Sequence, residues 1–151
     1  MIRGVRFPTH DAVEGYTGFL LRKLSAAMFD SFAERLSPHG LHPMHFGMLS
    51  IIASEAPVSQ QELCERTGVD PSTMVARMDA LEALELVERS RSAKDRRLYE
   101  IRMTPKGRRL LKKLQADAAD HHAGFFAALD EREREQLHSL LLKVARGLDA
   151  P

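Results

Sequence analysis

Residues 59–84 read SQQELCERTGVDPSTMVARMDALEAL, and they contain two helix starts on either side of one helix stop. Ser59-Gln60-Gln61-Glu62 has the spacing of a capping box, in which the hydroxyl accepts from a backbone N–H and the carboxylate reaches back to the cap's own N–H. Gly68 lacks the Cβ that penalises the left-handed backbone, so a helix begun at Ser59 can stop there. Asp70 then caps a second helix, with Pro71 at the first position, where a missing N–H costs nothing. Two short capped helices separated only by Gly68-Val69-Asp70 predict a helix-turn-helix. Within the second helix Met74, Met78 and Leu81 share one face by three-and-four spacing and are expected in the core. Thr73, Ala76, Arg77 and Ala80 are expected on the opposite face. A small, polar and basic surface suits a helix that enters a major groove and offers hydrogen bonds to base edges; the plainer alternative is a solvated face.

Downstream, Leu86-Val87-Glu88-Arg89 and Leu98 to Met103 alternate apolar with polar residues, as half-buried strands do. They flank the basic loop Ser90 to Arg97. A two-stranded hairpin following a helix-turn-helix is a wing, whose tip reaches a minor groove beside the groove the helix enters. The charge agrees. From Arg89 to Lys113 there are 11 Lys and Arg against Asp95 and Glu100, although the whole chain carries only +1. From Asp117 onward acidic residues outnumber basic ones, so one end of the molecule is suited to an anion.

Outside this segment, Leu20, Leu24, Met28, Phe32 and Leu36 recur every fourth position, predicting an amphipathic helix over 14–36 that ends at Ser37-Pro38-His39-Gly40. Pro43 begins a helix to Glu55 that is apolar on several faces and should be central. Thr104-Pro105-Lys106-Gly107 begins a long helix expected to reach about Ala128. Asp130-Glu131-Arg132-Glu133 begins a last one, with Leu137, Leu140, Leu141, Val144 and Leu148 in a stripe that needs a partner surface.

At 151 residues the chain is expected to form a single domain with a real core, of ordinary globular composition. It has one cysteine, Cys64, and neither a signal-peptide pattern nor an apolar run of membrane-spanning length. These features suggest a cytoplasmic location without membrane association. No nucleophile, base or metal constellation stands out, so neither an enzyme nor a cofactor is expected. Cys64, beside Leu63, reads as a packed structural thiol.

The arrangement resembles the MarR family of winged helix-turn-helix regulators from Glu14 to Leu148. The residues that carry the resemblance are Ser59 to Leu63, Gly68 to Thr73, Arg77 to Glu82, Leu86 to Arg89, Asp95-Arg96-Arg97 and Leu98 to Gly107. The resemblance implies a mainly α fold with a small β-wing and N- and C-terminal dimerisation helices. In residues, it implies dimerisation helices at 14–36 and 105–148 around a winged lobe at 42–103, with the homodimer straddling double-stranded DNA at a pseudo-palindromic operator. It further implies that Asp95 orients Arg97 into the minor groove, that Arg96 meets a phosphate and that Lys94 joins them, with Ser72, Thr73 and Arg77 contacting bases or adjoining phosphates. Where the family usually has Gly after the second helix, this sequence has Glu85, which must then take up a left-handed backbone.

Family members hold small aromatic or anionic effectors in a cleft between helices, and by resemblance Tyr16, Phe19, His42, His45 and Phe46 would border it. The alternative for each is ordinary packing. His42 and His45 with His121 or His122 could make a zinc-responsive member, but no cysteine or glutamate cluster accompanies them, and no metal is expected. The expected function is a transcriptional regulator, most simply a repressor modulated by such an effector. A winged protein-interaction module without specific DNA binding is the competing class.

Overall fold

The computed structural model describes residues 10–92 and 99–148. Seven α-helices and three strands follow one another among them: α1 (Asp11–Glu14), α2 (Thr17–Leu36), α3 (Pro43–Glu55), β1 (Val58–Ser59), α4 (Gln60–Thr67), α5 (Pro71–Ala83), β2 (Val87–Arg91), β3 (Tyr99–Met103), α6 (Pro105–Phe125) and α7 (Glu131–Leu148). A 3-10 turn over Ser37–His39 closes α2. The fold is mainly helical with a small wing, as expected.

The sequence reading misplaced two helix limits. The first helix does not run unbroken from Glu14, because Gly15 and Tyr16 separate α1 from α2. Glycine is a weak helix former, and Tyr16 is 68% exposed, so no packing holds the turn in register. The other limit is the end of α6, which stops at Phe125, next to Gly124, and not at about Ala128.

The strands form an antiparallel sheet in the order β1-β3-β2. β2 pairs with β3 from Val87↔Met103 to Arg91↔Tyr99, and β1 pairs with β3 through Val58↔Ile101. The alternation in the sequence predicts only β2 and β3, and the third strand, β1, has no such signal. Two residues carry no alternation; only the partner strand defines them.

By compactness the chain divides into Phe29–Asp117 and a unit made of Met1–Met28 with Ala118–Pro151. The buried core lies in the first. Met48, Leu49 and Ile52 of α3, Leu63 of α4, Met74, Met78 and Leu81 of α5 and Ile101 of β3 have no exposed surface. Each contributes about 1.5–3 kcal/mol of transfer free energy. Cys64 packs, half-buried, against this cluster. In the second unit α7 starts at a reciprocal cap, with Glu133 N–H donating to Asp130 Oδ1 at 2.8 Å and Asp130 N–H to Glu133 Oε2 at 2.9 Å. No residue of α7 is buried, and Leu140, Leu141, Leu142, Val144 and Leu148 are all exposed.

The link from α5 to the wing is held tightly. Glu85 is left-handed, with φ 57°, as the sequence requires of a residue standing where glycine is usual. Thr104 Oγ1 donates to the Glu85 carbonyl at 2.7 Å, and Lys106 Nζ lies 2.9 Å from Glu85 Oε2. The Lys106 hydrogen bond and charge hold the Glu85 carboxyl below its ordinary pKa. Left-handed backbone costs an L-residue about 1–2 kcal/mol, whereas an exposed ion pair returns less than that. Glu85→Gly is therefore expected to raise the thermal midpoint by about 2–4 °C. An unchanged or lower midpoint in a calorimetric scan would show that the ion pair outweighs the strain.

Candidate nucleic-acid interface

The helix-turn-helix forms where its caps are written. Ser59 N–H donates to Glu62 Oε2 at 2.7 Å while Glu62 N–H donates to Ser59 Oγ at 3.2 Å, and Gly68 closes α4 with φ 67°. Asp70 starts α5: its Oδ1 accepts from the Ser72 hydroxyl at 2.5 Å and from Thr73 N–H at 3.0 Å. These bonds, the Ser72 hydroxyl first, hold the Asp70 carboxyl far below the usual carboxylate range. The Ser72 proton is thus committed to the cap, which leaves its exposed oxygen to act as an acceptor.

Along α5 the residues expected in the core, Met74, Met78 and Leu81, are buried, while Ser72, Thr73, Val75, Ala76 and Asp79 are exposed. Arg77 departs from expectation. It is half-buried, and its charge reaches His42 and His45 at the start of α3. Spacing explains this: Arg77 lies three residues after Met74 and four before Leu81, so it belongs on the flank of the core face and not opposite it.

The opposite flank of α5 is braced by a wing residue whose partners on the helix the sequence does not reveal. Arg89 of β2 places Nη2 2.7 Å from Asp79 Oδ1 and Nη1 3.6 Å from Glu82 Oε2. The same Nη2 donates to the Val75 carbonyl at 3.5 Å. Arg89 therefore offsets one of the two negative charges that Asp79 and Glu82 place on this flank of α5. A strand residue's reach back to a helix is tertiary, and the spacing in the sequence carried no signal of it.

In the wing, Ser92 Oγ donates to Glu100 Oε1 at 2.6 Å, Arg102 pairs with Glu100 at 2.9 Å, and the Arg91 guanidinium stands 5.8 Å from the Tyr99 ring centroid. Lys94, Asp95, Arg96 and Arg97, expected at the tip, lie outside the described residues. Arg108, Arg109, Lys112 and Lys113 are exposed on the first half of α6, so the unit keeps a basic surface after Arg89, Arg102 and Lys106 are paired.

Of the residues expected around an effector, His42, His45 and Phe46 gather at the start of α3. The two histidines make a reciprocal cap, with Met44 N–H donating to His42 Nδ1 at 3.3 Å and His42 N–H to His45 Nδ1 at 3.2 Å. Phe29 packs edge-on against His42, and Phe32 against Phe46. Burial, followed by the charges of Arg77 and His42, pushes the His45 pKa down to about 4, and burial followed by Arg77 lowers that of His42. Both Nδ1 lone pairs serve helix capping, which leaves them unsuited to hold a metal. Among the described residues no group of three or more His, Cys, Asp or Glu side chains is placed to bind one. Tyr16 and Phe19 belong to the other unit, where Phe19 lies under Arg22 and Lys23; His121 is buried there and His122 is exposed.

Residues 39–98 match the family model for the MarR family. A protein of Thauera aromatica assigned as transcriptional regulator of the hcr operon is 34% identical over 138 residues, 91% of this chain and 83% of that protein. The chain belongs to the MarR family. It is a winged helix-turn-helix, DNA-binding transcriptional regulator. Among solved structures, the transcriptional repressor CouR bound to a 23-mer DNA duplex superposes with a TM-score of 0.84 at 27% identity, covering 93% of this chain and 99% of that one. CouR of Rhodococcus jostii RHA1 bound to p-coumaroyl-CoA gives 0.78 at 28%, covering 90% of this chain and 96% of that one. In this MarR-family chain α5 is the second helix of the helix-turn-helix and β2–β3 the wing. Among the described residues no helix is long and apolar enough to cross a membrane.

Proposed function

We infer that the protein is a repressor that binds a pseudo-palindromic operator as a homodimer and releases it when a small aromatic or anionic effector binds. The observation that carries this reading is the exposed N-terminal face of α5, rigidly capped at Asp70 and followed by a wing. Ser72, Thr73 and Arg77 are the groups proposed to reach bases or adjoining phosphates. Arg77 would do so by extending its guanidinium from a half-buried stem. Lys94, Asp95, Arg96 and Arg97 would act at the wing tip, with Asp95 aiming Arg97. The exposed leucines of α7 supply an apolar face that a second copy would cover, so the helices over 14–36 and 105–148 are proposed to dimerise. Two α5 helices must then sit about 34 Å apart, and an effector that respaces them weakens binding without touching DNA. The ligand of CouR, p-coumaroyl-CoA, is both aromatic and anionic, which favours the same class here, with His42, His45 and Phe46 proposed to meet it.

Duplex recovered from a random pool by the wild-type protein, titrated beside a scrambled duplex at several salt concentrations, tests the DNA contacts. Arg77→Ala is expected to lose about tenfold or more on the selected duplex and little on the scrambled one, whereas Arg96→Ala should weaken both and flatten the salt slope by about one. Equal affinity of the wild type for both duplexes would favour a winged module that serves an acidic protein.

A further inference from the structure

The exposed face of α5 carries one feature that the hydrogen-bonding contacts leave unused. Val75 is 42% exposed, flanked by the exposed Ser72, Thr73, Ala76 and Asp79. An isolated exposed valine is ordinary on a protein surface. This one is held. Its carbonyl accepts from the Arg89 guanidinium, which simultaneously grips Asp79 one turn on, so this flank of the helix is fixed to the root of the wing. The pairing also occupies the Asp79 carboxylate, which would otherwise compete for a base amino group and repel phosphate. What remains presented on this face is a branched, apolar side chain. In the major groove thymine offers the C5 methyl, an apolar group that other bases lack.

We propose that Val75 is a specificity-determining residue that packs on a thymine methyl in each operator half-site, with Arg89 as the positioning residue that fixes it. The proposal rests on the reading of α5 as the major-groove helix. Burying one methyl against one side chain is worth about fourfold in affinity, and two symmetric half-sites together give about fifteenfold.

Replacing thymine by deoxyuridine removes only that methyl. In the duplex selected by the wild-type protein, deoxyuridine at the same thymine position in both half-sites is expected to lower affinity about fifteenfold. Val75→Ser should bind the thymine and deoxyuridine duplexes equally, while its affinity for a scrambled duplex stays at the wild-type level. Selective binding by the wild type that is indifferent to every deoxyuridine position would overturn the Val75 assignment alone, as would a penalty that persists in Val75→Ser. A wild type with no sequence preference at all overturns the major-groove reading and this proposal with it.

Discussion

Gly107→Ala is expected to lower the thermal midpoint by about 7 °C, although alanine is the better helix former. Gly107 sits in the first turns of α6, where Gly107 N–H donates to Thr104 Oγ1 at 2.9 Å. A Cβ there would overlap the backbone carbonyl of Leu86. That carbonyl cannot retreat easily: it accepts from Thr104 N–H at 3.1 Å, and Leu86 is 1% exposed, next to the left-handed Glu85. Relieving the overlap means parting α6 from the start of β2, an overpacking cost of about 3 kcal/mol. The gain in helix propensity is about 1 kcal/mol, so the clash wins by about 2 kcal/mol, which at this chain length corresponds to the expected shift. Gly47→Ala is the control, because Gly47 is also helical but has nothing near its would-be Cβ. It should be neutral or raise the midpoint. Parallel melts in which Gly107→Ala matched Gly47→Ala would show that the junction yields at no cost.

The same junction shows what was legible in the sequence. Four helix ends were read correctly because their caps are local. Ser59 with Glu62, Gly68, Asp70 with Pro71, and Asp130 with Glu133 each satisfy backbone groups a few residues away, so spacing alone locates them. The left-handed backbone at Glu85 was legible only through the family resemblance, which sets a glycine at that place. β1 was not, because its definition lies in Ile101 and Glu100 across the sheet.

For the candidate site the division is sharper. The buried face of α5 followed from three-and-four spacing, and the same rule, applied to Arg77, would have placed it beside Leu81 and not opposite. Arg89 illustrates the other kind of loss. Its charge was visible but its partners were not, since Asp79 and Glu82 precede it on a different element, and a count of net charge treats a paired guanidinium as a free one. Histidine is not an ordinary capping residue, so the His42–His45 cap could not be told in advance from a ligand site.

That cap leads to the second large expectation, a marked loss of stability in mild acid. His45 is 5% exposed, its Nδ1 accepts from His42 N–H, and the groups facing the pair are the Arg77 guanidinium on α5 and the Phe29 ring on α2. Protonation would destroy both capping acceptors and set cations against Arg77. The folded protein therefore keeps His45 neutral down to about pH 4, whereas the unfolded chain takes up the proton near 6.5. A histidine held neutral in this way leaves stability intact above pH 6.5 and erodes it as pH falls from 6.5 to 4, because the unfolded state binds the proton first. The loss is about 2 kcal/mol by pH 5, and His42, lowered in the same direction, adds to it. His45→Gln retains a carbonyl acceptor at the third helical position, where glutamine serves in ordinary capping boxes, but cannot titrate. Urea denaturation at pH 7.5 and pH 5 should show the wild type losing about 2 kcal/mol more than His45→Gln across that interval. Equal losses in the two proteins would mean that His45 is protonated in the folded state at its ordinary pH, and that the reciprocal cap does not bind its Nδ1 lone pair.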